Sequence, residues 1–397
     1  MKKTKDLPLC GVRVLDLTTV VFGPYTAQIL GDLGADVIKI AAPGGDSMRS
    51  IGPARNSGMS SIFLGSNRNK RSLVLDLKTE NARGALWRLI DTSDMFVHNV
   101  RPQKMAALGF APDAVLGRNP KIIYGGLHGY REAGPYGGRP AYDDIIQCIS
   151  GLAATFTERD GIPKMVPSIV ADKTAALMAV NGLIGAYVKR LRSGSGSYVE
   201  CSMFESLASF NLVEHQWGET FSPSKGTAGY ARLLSEYRRP HKTRDGFIAI
   251  LPYTDKHWRD FWRIVDAGSC ANDKRFSTMA MRSKHIDVLY QKLSGFLTAK
   301  DTAEWLVLLT EADIPASRVN SLSDLNSDEH MEKIGFFREF DHPSEGKLVA
   351  PDSGYQFDGK SLPVRKPQPR LGEHSHEILS EIGYSEIEIS NLIDTNK

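Results

Sequence analysis

A single aspartate stands where an apolar run meets a long apolar helix pattern in PSIVADKTAALMAV, residues 167–180. Asp172 follows Ile169, Val170 and Ala171, and the pattern after it predicts a helix over 173–190. Two interpretations are open. Aspartate is a favoured helix N-cap, which contributes about 1 kcal/mol to helix stability. The same place also suits a reactive carboxylate, because amide donors and the positive end of a helix keep it ionised, as a nucleophile requires.

Three further polar residues begin the stretch AYDDIIQ, residues 141–147. Tyr142, Asp143 and Asp144 precede an apolar run, and acidic residues stabilise the first turn of a helix through its dipole. A helix start is the simplest interpretation of this motif, and its position alone assigns it no chemistry.

If the protein binds phosphate groups, cationic side chains must contribute most of the contacts, because the usual glycine-rich phosphate-binding loops are missing. Neither G-x-G-x-x-G nor G-x-x-x-x-G-K-[ST] occurs in the sequence. Lys70, Arg71, Lys78 and Arg101 flank predicted strands, and a solvated surface charge is the simpler interpretation for any one of them alone. Lys78 and Arg101 each come just past a strand, where doubly wound sheets bind ligands, so ligand binding and surface charge are both open for these two.

Metal sites and the common covalent sites are not indicated by the sequence. The 10 histidines are dispersed, and the one close pair, His374 and His376, has a spacing that does not share a helix face. No G-x-S-x-G motif occurs, and the 4 cysteines lie far apart without a C-x-x-C pair. We therefore assign no metal and expect reduced thiols in a cytoplasmic protein.

The bulk composition argues against a nucleic-acid or membrane surface. The 397 residues include 49 basic and 46 acidic ones, a net charge of +3, so at most a local basic patch for an anionic ligand is expected. No stretch reaches the roughly 18 consecutive apolar residues of a membrane span. The basic N-terminus lacks the apolar region of a signal peptide, and the length suggests about two domains.

The elements that must position these side chains alternate between strand and helix patterns. Strands are predicted over 12–17, 35–40, 72–77, 94–99 and 121–126, with helices over 23–34 and 80–90 between them. Such alternation is typical of a parallel, doubly wound α/β sheet, whose ligands bind beyond the carboxyl ends of the strands. A sixth strand is predicted over 198–204, after the helix over 173–190, which is apolar on nearly every face and is therefore expected to be buried.

The chain divides into three predicted parts. A large Rossmann-like domain over 1–222 is followed by a smaller α+β domain over 223–325, because the composition changes near 221–234. Residues 326–397, punctuated by prolines, are expected to form an extended strap that returns to the large domain and ends in a helix over 377–385.

Seven stretches in this order resemble one enzyme family. The chain is similar, from about Leu9 to Tyr384, to the class III CoA-transferases, the group of formyl-CoA and carnitine CoA-transferases with the α-methylacyl-CoA racemases as a divergent branch. The stretches that carry the resemblance are LCGVRVLDLTTVVFGPYTAQILGDLGADVIKI, NRNKRSLVLDLKT, VHNVRPQKMAALGF, GPYGGRPAYDDIIQCISGL, VADKTAALMAVNGLIGAYVKRLRSGSGSYVECSMFES, ADIPASRVNSLSDL and RLGEHSHEIL.

The resemblance implies an acyl-CoA:carboxylate CoA-transferase with Asp172 as the catalytic nucleophile. The carboxylate would attack the acyl-CoA thioester to give a mixed anhydride, become an aspartyl-CoA thioester, and return CoA to an acceptor carboxylate through a second anhydride. Backbone donors for the developing oxyanions would come from the turn at Gly23. The substrates would be acyl-CoA and small carboxylates, including dicarboxylates, and no permanently bound cofactor is expected.

The resemblance also implies where CoA binds and how the chain assembles. Contacts of the family with CoA fall on Leu75, Asp76, Leu77, Lys78, Asn99, Val100, Arg101, Tyr142 and Asp143, and Tyr142 would line the acyl pocket. The family fold implies an interlocked homodimer of Rossmann-like large domains and smaller α+β domains.

Departures from the family pattern bear on the activity. The racemases place a histidine at the position of Tyr142 and use it with the aspartate as a pair of bases, so transfer is favoured over racemisation. Formyl-CoA transferases have a glutamine at the position of Val21, which argues against formyl or oxalate specificity. The usual glutamate after the second strand is Ala41. An arginine that some relatives use for a CoA phosphate is Ala107, with Lys104 one turn earlier as a substitute.

Two other interpretations of the chain are left open: an acyl-CoA racemase or isomerase, and a non-catalytic CoA-binding protein in which Asp172 is only a cap. A cluster of basic residues in the small domain could recognise the second carboxylate of a dicarboxylic acceptor, although surface charge accounts for it as well. Its members are Arg238, Arg239, His241 and Lys242.

Overall fold

The computed structural model describes residues 6–394, except the side chains of residues 158–160 and 394. The chain forms two compact units. The first comprises Met1–Ser150, Val166–Phe210 and Gly335–Lys397, and the second comprises Gly151–Met165 and Asn211–Ile334. The chain thus passes from the first unit to the second between Phe210 and Asn211. The boundary expected from the sequence, at 222/223, rested on the Gly/Pro-containing stretch 221–234, which comes later in the chain.

The described residues contain eighteen α-helices and thirteen strands. In chain order the helices are α1 (Phe22–Asp32), α2 (Ser61–Ser66), α3 (Glu80–Asp91), α4 (Pro102–Ala107), α5 (Pro112–Arg118), α6 (Asp143–Ile149), α7 (Thr155–Asp160), α8 (Val170–Ser193), α9 (Met203–His215), α10 (Ala231–Leu234), α11 (Asp255–Ile264), α12 (Gly268–Ala271), α13 (Met279–Lys284), α14 (Ile286–Leu297), α15 (Thr302–Glu311), α16 (Glu329–Lys333), α17 (Ser375–Glu381) and α18 (Glu386–Asp394). The strands are β1 (Arg13–Leu17), β2 (Asp36–Ala41), β3 (Lys70–Val74), β4 (Met95–His98), β5 (Ile123–His128), β6 (Ser197–Ser202), β7 (His241–Lys242), β8 (Phe247–Ile250), β9 (Ala316–Arg318), β10 (Phe337–His342), β11 (Gly346–Pro351), β12 (Gln356–Phe357) and β13 (Lys360–Ser361).

A six-stranded parallel sheet forms the centre of the first unit. Its strands lie in the order β3-β2-β1-β4-β5-β6, and every neighbouring pair is parallel. This is the order of a doubly wound sheet, in which the direction of winding reverses between β1 and β4 and opens a crevice beyond their carboxyl ends. The predictions of an α/β fold and of six strands are confirmed.

The third strand is shorter at its carboxyl end than the pattern SLVLDL predicts. It ends at Val74, and Leu75–Leu77 form a loop instead. The carboxylate of Asp76 accepts a hydrogen bond from the Lys78 amide at 3.1 Å, and the Asp76 carbonyl accepts one from the Thr79 amide at 2.9 Å. These local bonds turn the chain directly into α3, whose N-cap is Thr79.

Helices cover both faces of the sheet, which explains why its strands read as nearly continuous apolar runs. On one face, Leu15, Ile38, Leu73 and Phe96 pack with residues of α3 and of the C-terminal helices α17 and α18 in a fully buried core. On the other face, α8 lies so close that a Cβ on Gly125 of β5 would meet Leu183 at 3.0 Å.

The long helix α8 is only partly buried within the chain. Four alanines on one side are fully buried, whereas Leu177, Met178 and Leu191 are 45%, 38% and 67% exposed. The prediction that α8 is buried is therefore wrong for the residues Leu177, Met178 and Leu191 when the chain is considered alone.

The second unit is a small α+β body with its own core. The antiparallel strands β7, β8 and β9 form its sheet, and Trp258, Phe261 and Trp305 are buried among the helices. The smaller α+β domain expected over 223–325 stays a prediction, because this unit also includes Gly151–Met165 and its longer segment begins at Asn211.

The C-terminal residues from 335 onward belong to the first unit but are less extended than expected. They contain the antiparallel hairpin β10–β11 and two closing helices, α17 and α18, where the sequence pattern predicts one. The segment is held against the sheet by backbone bonds, such as Asn69 N–H to the Lys366 carbonyl and His374 N–H to the Ser72 carbonyl, both at 2.9 Å. Among the residues that the structure describes, no helix is both long and apolar enough to cross a membrane.

Candidate active site

A crevice opens at the switch point between β1 and β4. There the Asn99 side chain donates to the Thr19 carbonyl at 2.8 Å and accepts from the Thr19 amide at 3.0 Å. The crevice, called the first cleft below, has a volume of about 240 Å³. It is lined by Thr19, Val20, Phe22, Asn99, Arg101, Pro102, Leu127, His128, Gly129, Tyr130, Glu132, Gly138, Arg139, Pro140, Ala141, Tyr142, Asp172 and Met203.

Asp172 lies in the first turn of α8 and reaches into the first cleft with 7% of its surface exposed. Its Oδ1 accepts a hydrogen bond from the Phe22 amide at 2.9 Å, across 150 positions of sequence. Phe22 is the first residue of α1, so the carboxylate takes its donor from the N-terminus of another helix. The N-cap position of α8 is Ile169, whose side chain makes no capping bond. This geometry does not support the interpretation of Asp172 as a simple N-cap.

The cap of α8 is supplied by Asp143, from a different helix. Its Oδ1 accepts from the amides of Ala171 at 2.7 Å and Asp172 at 3.2 Å, which are orphan donors of the first helical turn. Its Oδ2 accepts from the Gln147 side chain at 2.6 Å. Both oxygens of this buried carboxylate are thus engaged by the protein, and they fix the backbone that carries Asp172.

The surroundings raise the pKa of Asp172 to about 6. Burial is the largest cause, and the nearby charge of Asp143 acts in the same direction, whereas the Phe22 amide lowers the pKa. The sequence suggests that amide donors and the positive helix end keep this carboxylate ionised; in the structure desolvation opposes them and is the larger effect on the pKa. The carboxylate is still mostly ionised at neutral pH, and its higher basicity makes it a better nucleophile than an ordinary aspartate.

A reaction that needs this carboxylate ionised should lose activity on the acid side. We expect kcat/KM to fall about tenfold per pH unit below pH 6, since the ionised fraction then falls in that proportion. Asp143→Asn keeps an acceptor for the α8 amides but removes the neighbouring charge, so it should move this acid limb to lower pH. A pH–rate profile of both proteins measures the shift, and an acid limb that moves upward in the variant would contradict the electrostatic account.

Two further clefts adjoin the first. A mainly apolar one of about 440 Å³, the second cleft, is lined by the carboxyl-end residues of β1, β2 and β3 together with Val100, Lys104 and Ala107. A basic groove of about 540 Å³ carries Arg101, Lys104 and Arg139. Thr19 lines the first and second clefts, Arg101 the first cleft and the groove, and Lys104 the second cleft and the groove, so the three form one continuous surface.

The structure brings most of the predicted CoA contacts to this surface. Leu75, Asp76, Leu77, Lys78 and Val100 line the second cleft, whereas Asn99, Arg101 and Tyr142 line the first. The side chain of Asn99 is occupied by the Thr19 backbone, and that of Asp143 by α8. Lys104, the expected substitute for the missing arginine, lines both the groove and the second cleft, and Ala107 lines the second cleft.

Two of the cations considered in the sequence lie elsewhere. Lys70 and Arg71 are at the amino end of β3 and are 0% and 3% exposed. Lys70 pairs with Asp16 at 2.8 Å, and Arg71 pairs with Asp36 at 2.6 Å. Both interpretations considered for them, ligand contact and solvated surface charge, are therefore wrong.

The basic cluster of the small domain is mixed in character. Arg238, Arg239 and Lys242 are exposed, but His241 is buried and its Nδ1 lies 2.7 Å from the Ser294 hydroxyl. Burial lowers the pKa of His241 to about 4, so this ring is neutral and does not provide a positive charge for a carboxylate.

Two histidines end neighbouring strands, His98 of β4 and His128 of β5, and neither is assigned a role from the sequence. Their ring centroids are 5.7 Å apart, and burial lowers the pKa of both. His98 donates from Nδ1 to the Val100 carbonyl at 3.1 Å and so shapes the loop that bears Arg101. His128 lines the first cleft with Asp172. Their positions at strand ends were the one signal that could have found them.

Comparisons with known proteins show the family of the chain. The sequence model of CoA-transferase family III matches residues 9–375. A succinyl-CoA:glutarate CoA-transferase of Mus musculus is 32% identical over 97% of this chain and 89% of its own length. A succinate–glutarate CoA-transferase of Agrobacterium fabrum is 30% identical over 94% of this chain and 96% of its own length.

Solved structures show the same fold. The crystal structure of Rv3272 from Mycobacterium tuberculosis superposes with a TM-score of 0.80 at 28% identity, covering 93% of this chain and 98% of the other. With a family match across nearly the whole sequence and the carboxylate at the switch point, the chain belongs to CoA-transferase family III, and it is an enzyme of that family.

Proposed function

We propose that the protein moves CoA between carboxylic acids by covalent catalysis at Asp172. The observation that carries the proposal is the placement of this carboxylate, which is ionised at neutral pH and points into a cleft continuous with a basic groove and an apolar cleft. An acyl-CoA ester can extend along that surface with its thioester at Asp172.

The reaction proceeds through two anhydrides and one enzyme thioester. An Asp172 oxygen attacks the thioester carbonyl, the C–S bond breaks, and CoA leaves as thiolate. The thiolate attacks Cγ of Asp172, which breaks the anhydride C–O bond and releases the donor carboxylate. An acceptor carboxylate then attacks Cγ of the aspartyl-CoA thioester, the C–S bond breaks, and CoA leaves as thiolate while the second anhydride forms. The thiolate attacks the acceptor's acyl carbon, the bond from that carbon to the bridging oxygen breaks, and the new thioester and the free Asp172 carboxylate result. Each step moves one negative charge and needs no net proton.

The Phe22 amide supports the steps at Cγ. It already donates to Oδ1 in the resting protein, which leaves Oδ2 as the attacking atom. When the thiolate or the acceptor adds to Cγ, negative charge develops on Oδ1. A preorganised N–H at 2.9 Å is then worth more than in the ground state, as in an oxyanion hole.

The adjoining clefts supply the binding of CoA. The second cleft, with Leu75, Leu77 and Val100, offers apolar walls for the adenine ring. Arg101 and Lys104 of the groove, with Lys78 at the edge of the second cleft, offer cations for the phosphates. Tyr142, 67% exposed at the first cleft, is placed to line the acyl group.

Short dicarboxylic acids are the proposed donor and acceptor class. Both curated relatives described above are named for succinate or succinyl-CoA and glutarate. Arg139 lines the first cleft and offers a cation for the distal carboxylate of such an acid.

An exchange assay tests the proposed function. The protein is incubated with succinyl-CoA and a panel of mono- and dicarboxylates, and new thioesters are identified by mass. We expect glutaryl-CoA and free succinate in equal amounts, and hydroxylamine should trap an acyl group on Asp172. Hydrolysis of succinyl-CoA without a new thioester, for every acceptor, would contradict transferase activity.

A second activity, exchange of the proton α to the thioester, is favoured by one observation. The racemases of the family use a histidine at the position of Tyr142, but His128 enters the same cleft from β5 and its lowered pKa makes it a neutral base. Incubation of an acyl-CoA in deuterium oxide without an acceptor decides this: deuterium at the α-carbon that is lost in His128→Gln supports it, and no incorporation excludes it.

A homodimer is the proposed assembly. Leu177, Met178 and Leu191 of α8 and Ile145 and Ile149 of α6 are 38–67% exposed in the single chain, and the two helices that carry them contact each other. A partner copy, interlocked as the family fold implies, would cover them. Sedimentation equilibrium should give twice the chain mass of 43.8 kDa, and a monomer mass would contradict the proposal.

The cytoplasmic location stays a prediction. All four cysteines lie in the described part of the chain and none of them forms a disulfide there; the reduced state of the thiols likewise stays a prediction.

A further inference from the structure

Four charged side chains are buried beneath the β1–α1 loop, residues 18–21. Asp16, Lys39, Asp46 and Lys70 are each 0–2% exposed. Lys70 pairs with Asp16 at 2.8 Å and Lys39 with Asp46 at 3.1 Å. Buried ion pairs of this kind contribute little to stability compared with apolar residues of the same size, so their presence calls for another reason.

All four side chains bind the backbone around the loop. Lys39 Nζ donates to the Thr18 carbonyl at 2.9 Å, and Lys70 Nζ donates to the Pro24 carbonyl at 2.8 Å. Asp16 accepts from the Thr18 amide at 3.1 Å and Asp46 from the Val20 amide at 3.3 Å. The residues held lie on both sides of Phe22, whose amide donates to Asp172.

The loop has a conformation that it would not keep unaided. Val20 has φ of 71°, a left-handed backbone conformation that a β-branched residue rarely adopts. At Gly23 a Cβ would lie 2.3 Å from the Thr18 Cβ, so only glycine allows the helix to begin this close to the loop. External restraint is therefore needed to hold the Phe22 amide in place.

We propose that Lys70, with its partner Asp16, is a positioning residue of the transfer reaction, which fixes the Phe22 amide against the Asp172 carboxylate without touching substrate. The inference rests on the proposed function of Asp172. Lys39 and Asp46 act in the same direction but also line the second cleft, so the fully buried pair gives the cleaner test.

The test uses the double variant Asp16→Asn/Lys70→Met. It removes the pair as a whole, so no buried charge is left alone and the net charge near Asp172 is unchanged. We expect kcat to fall about 10- to 100-fold, in line with the loss of one oxyanion donor or less, with KM for the acyl-CoA within about threefold of wild type. The acid limb of kcat/KM should move upward in pH, because the amide that lowers the Asp172 pKa is displaced.

A matched control at the other end of α1 distinguishes the positioning role from a general loss of stability. Arg68 and Asp32 form a buried pair at the other end of α1, with N–O distances of 2.8–3.2 Å. Asp32→Asn/Arg68→Met should lower the melting temperature but leave kcat and the acid limb as in wild type. The other charged or titratable groups around Asp172 and its cleft are the same in both variants: Asp143, Glu132, His128, Arg101, Arg139 and Tyr142.

The outcomes separate the inference from the proposed function. If wild type forms the hydroxylamine-sensitive acyl-enzyme and a folded Asp16→Asn/Lys70→Met variant keeps its kcat and acid limb, the positioning role is wrong. It is also wrong if KM alone rises, or if the control loses kcat equally. If wild type forms no acyl-enzyme, the proposed function fails first.

A milder variant covers the case in which the methionine variant does not fold. In wild type, Lys70 Nζ donates to the Pro24 carbonyl at 2.8 Å and to Asn67 Oδ1 at 2.9 Å. In Asp16→Asn/Lys70→Gln the shorter glutamine side chain keeps an amide donor, but it cannot reach both of these acceptors. A smaller loss of kcat with a raised acid limb supports the inference, and wild-type behaviour overturns it.

Discussion

Asp172→Asn should lower the rate of CoA transfer by at least about 10³-fold, as expected when a covalent nucleophile is removed. Asparagine has nearly the same shape, and its side-chain oxygen can still accept from the Phe22 amide, so the first turn of α8 should keep its position. What is lost is the nucleophilic oxygen. Neither the anhydride nor the aspartyl-CoA thioester can then form, and hydroxylamine should trap no acyl group.

The matched control for this variant is Asp144→Asn. Asp144 is exposed on the first turn of α6, next in sequence to Asp143, and its loss of charge should leave transfer unchanged. Binding of CoA, measured by calorimetry, should be similar in wild type and both variants, because the basic groove is intact. Near-wild-type transfer by Asp172→Asn would remove the basis of the proposed mechanism.

Arg101→Ala should raise KM for the acyl-CoA about 10- to 100-fold with a smaller change in kcat. Arg101 is exposed, lies where the first cleft meets the groove, and has no ion-pair partner in the described residues that would occupy it. Hydrogen bonds to charged groups contribute about 1.5–3 kcal/mol, which corresponds to this range in affinity. Lys78→Ala in addition should weaken binding further, and roughly additively if the two cations hold different phosphates.

Phosphate recognition can be separated from other causes by the choice of substrate. Wild type should have a higher kcat/KM for succinyl-CoA than for succinyl-pantetheine, which has no nucleotide. Arg101→Ala should reduce the ratio of these two kcat/KM values. Arg118→Ala is the control, since Arg118 pairs with Asp91 on the outside of the first unit. An unchanged preference in Arg101→Ala would show that this cation does not bind the phosphates of CoA.

Much of the architecture can be predicted from the sequence because it rests on local patterns. The alternation of β-rich and helical runs predicts the parallel sheet, and the rule about strand ends selects Lys78 and Arg101 before any family is considered. Strand ends are harder to predict, as at Leu75–Leu77, because a local turn held by Asp76 competes there with the same apolar pattern.

The environment of Asp172 follows from contacts that are distant in sequence. The helix pattern over 173–190 suggests a cap, but the cap is Asp143, 29 positions earlier, and the donor is Phe22, 150 positions earlier. The resulting burial raises the pKa of Asp172, which reverses the sign expected from the helix end alone. Lys70 likewise has the sequence pattern of a surface cation and is fully buried.

The sequence by itself determined the fold class and, through resemblance to a family, the aspartate that we propose as the nucleophile; it also predicted the strand ends at which we expect the ligand to bind. Only the tertiary structure decided which amide contacts that aspartate, which carboxylate caps its helix and which buried ion pair holds the loop between them. The physical reason is that the periodicity of apolar residues along the chain reflects only which face of each helix or strand is buried. The strand order β3-β2-β1-β4-β5-β6, in contrast, determines which loops meet at the switch point. Hydrogen bonds and desolvation at such a meeting point depend on the three-dimensional distances between segments and leave no local pattern in the chain.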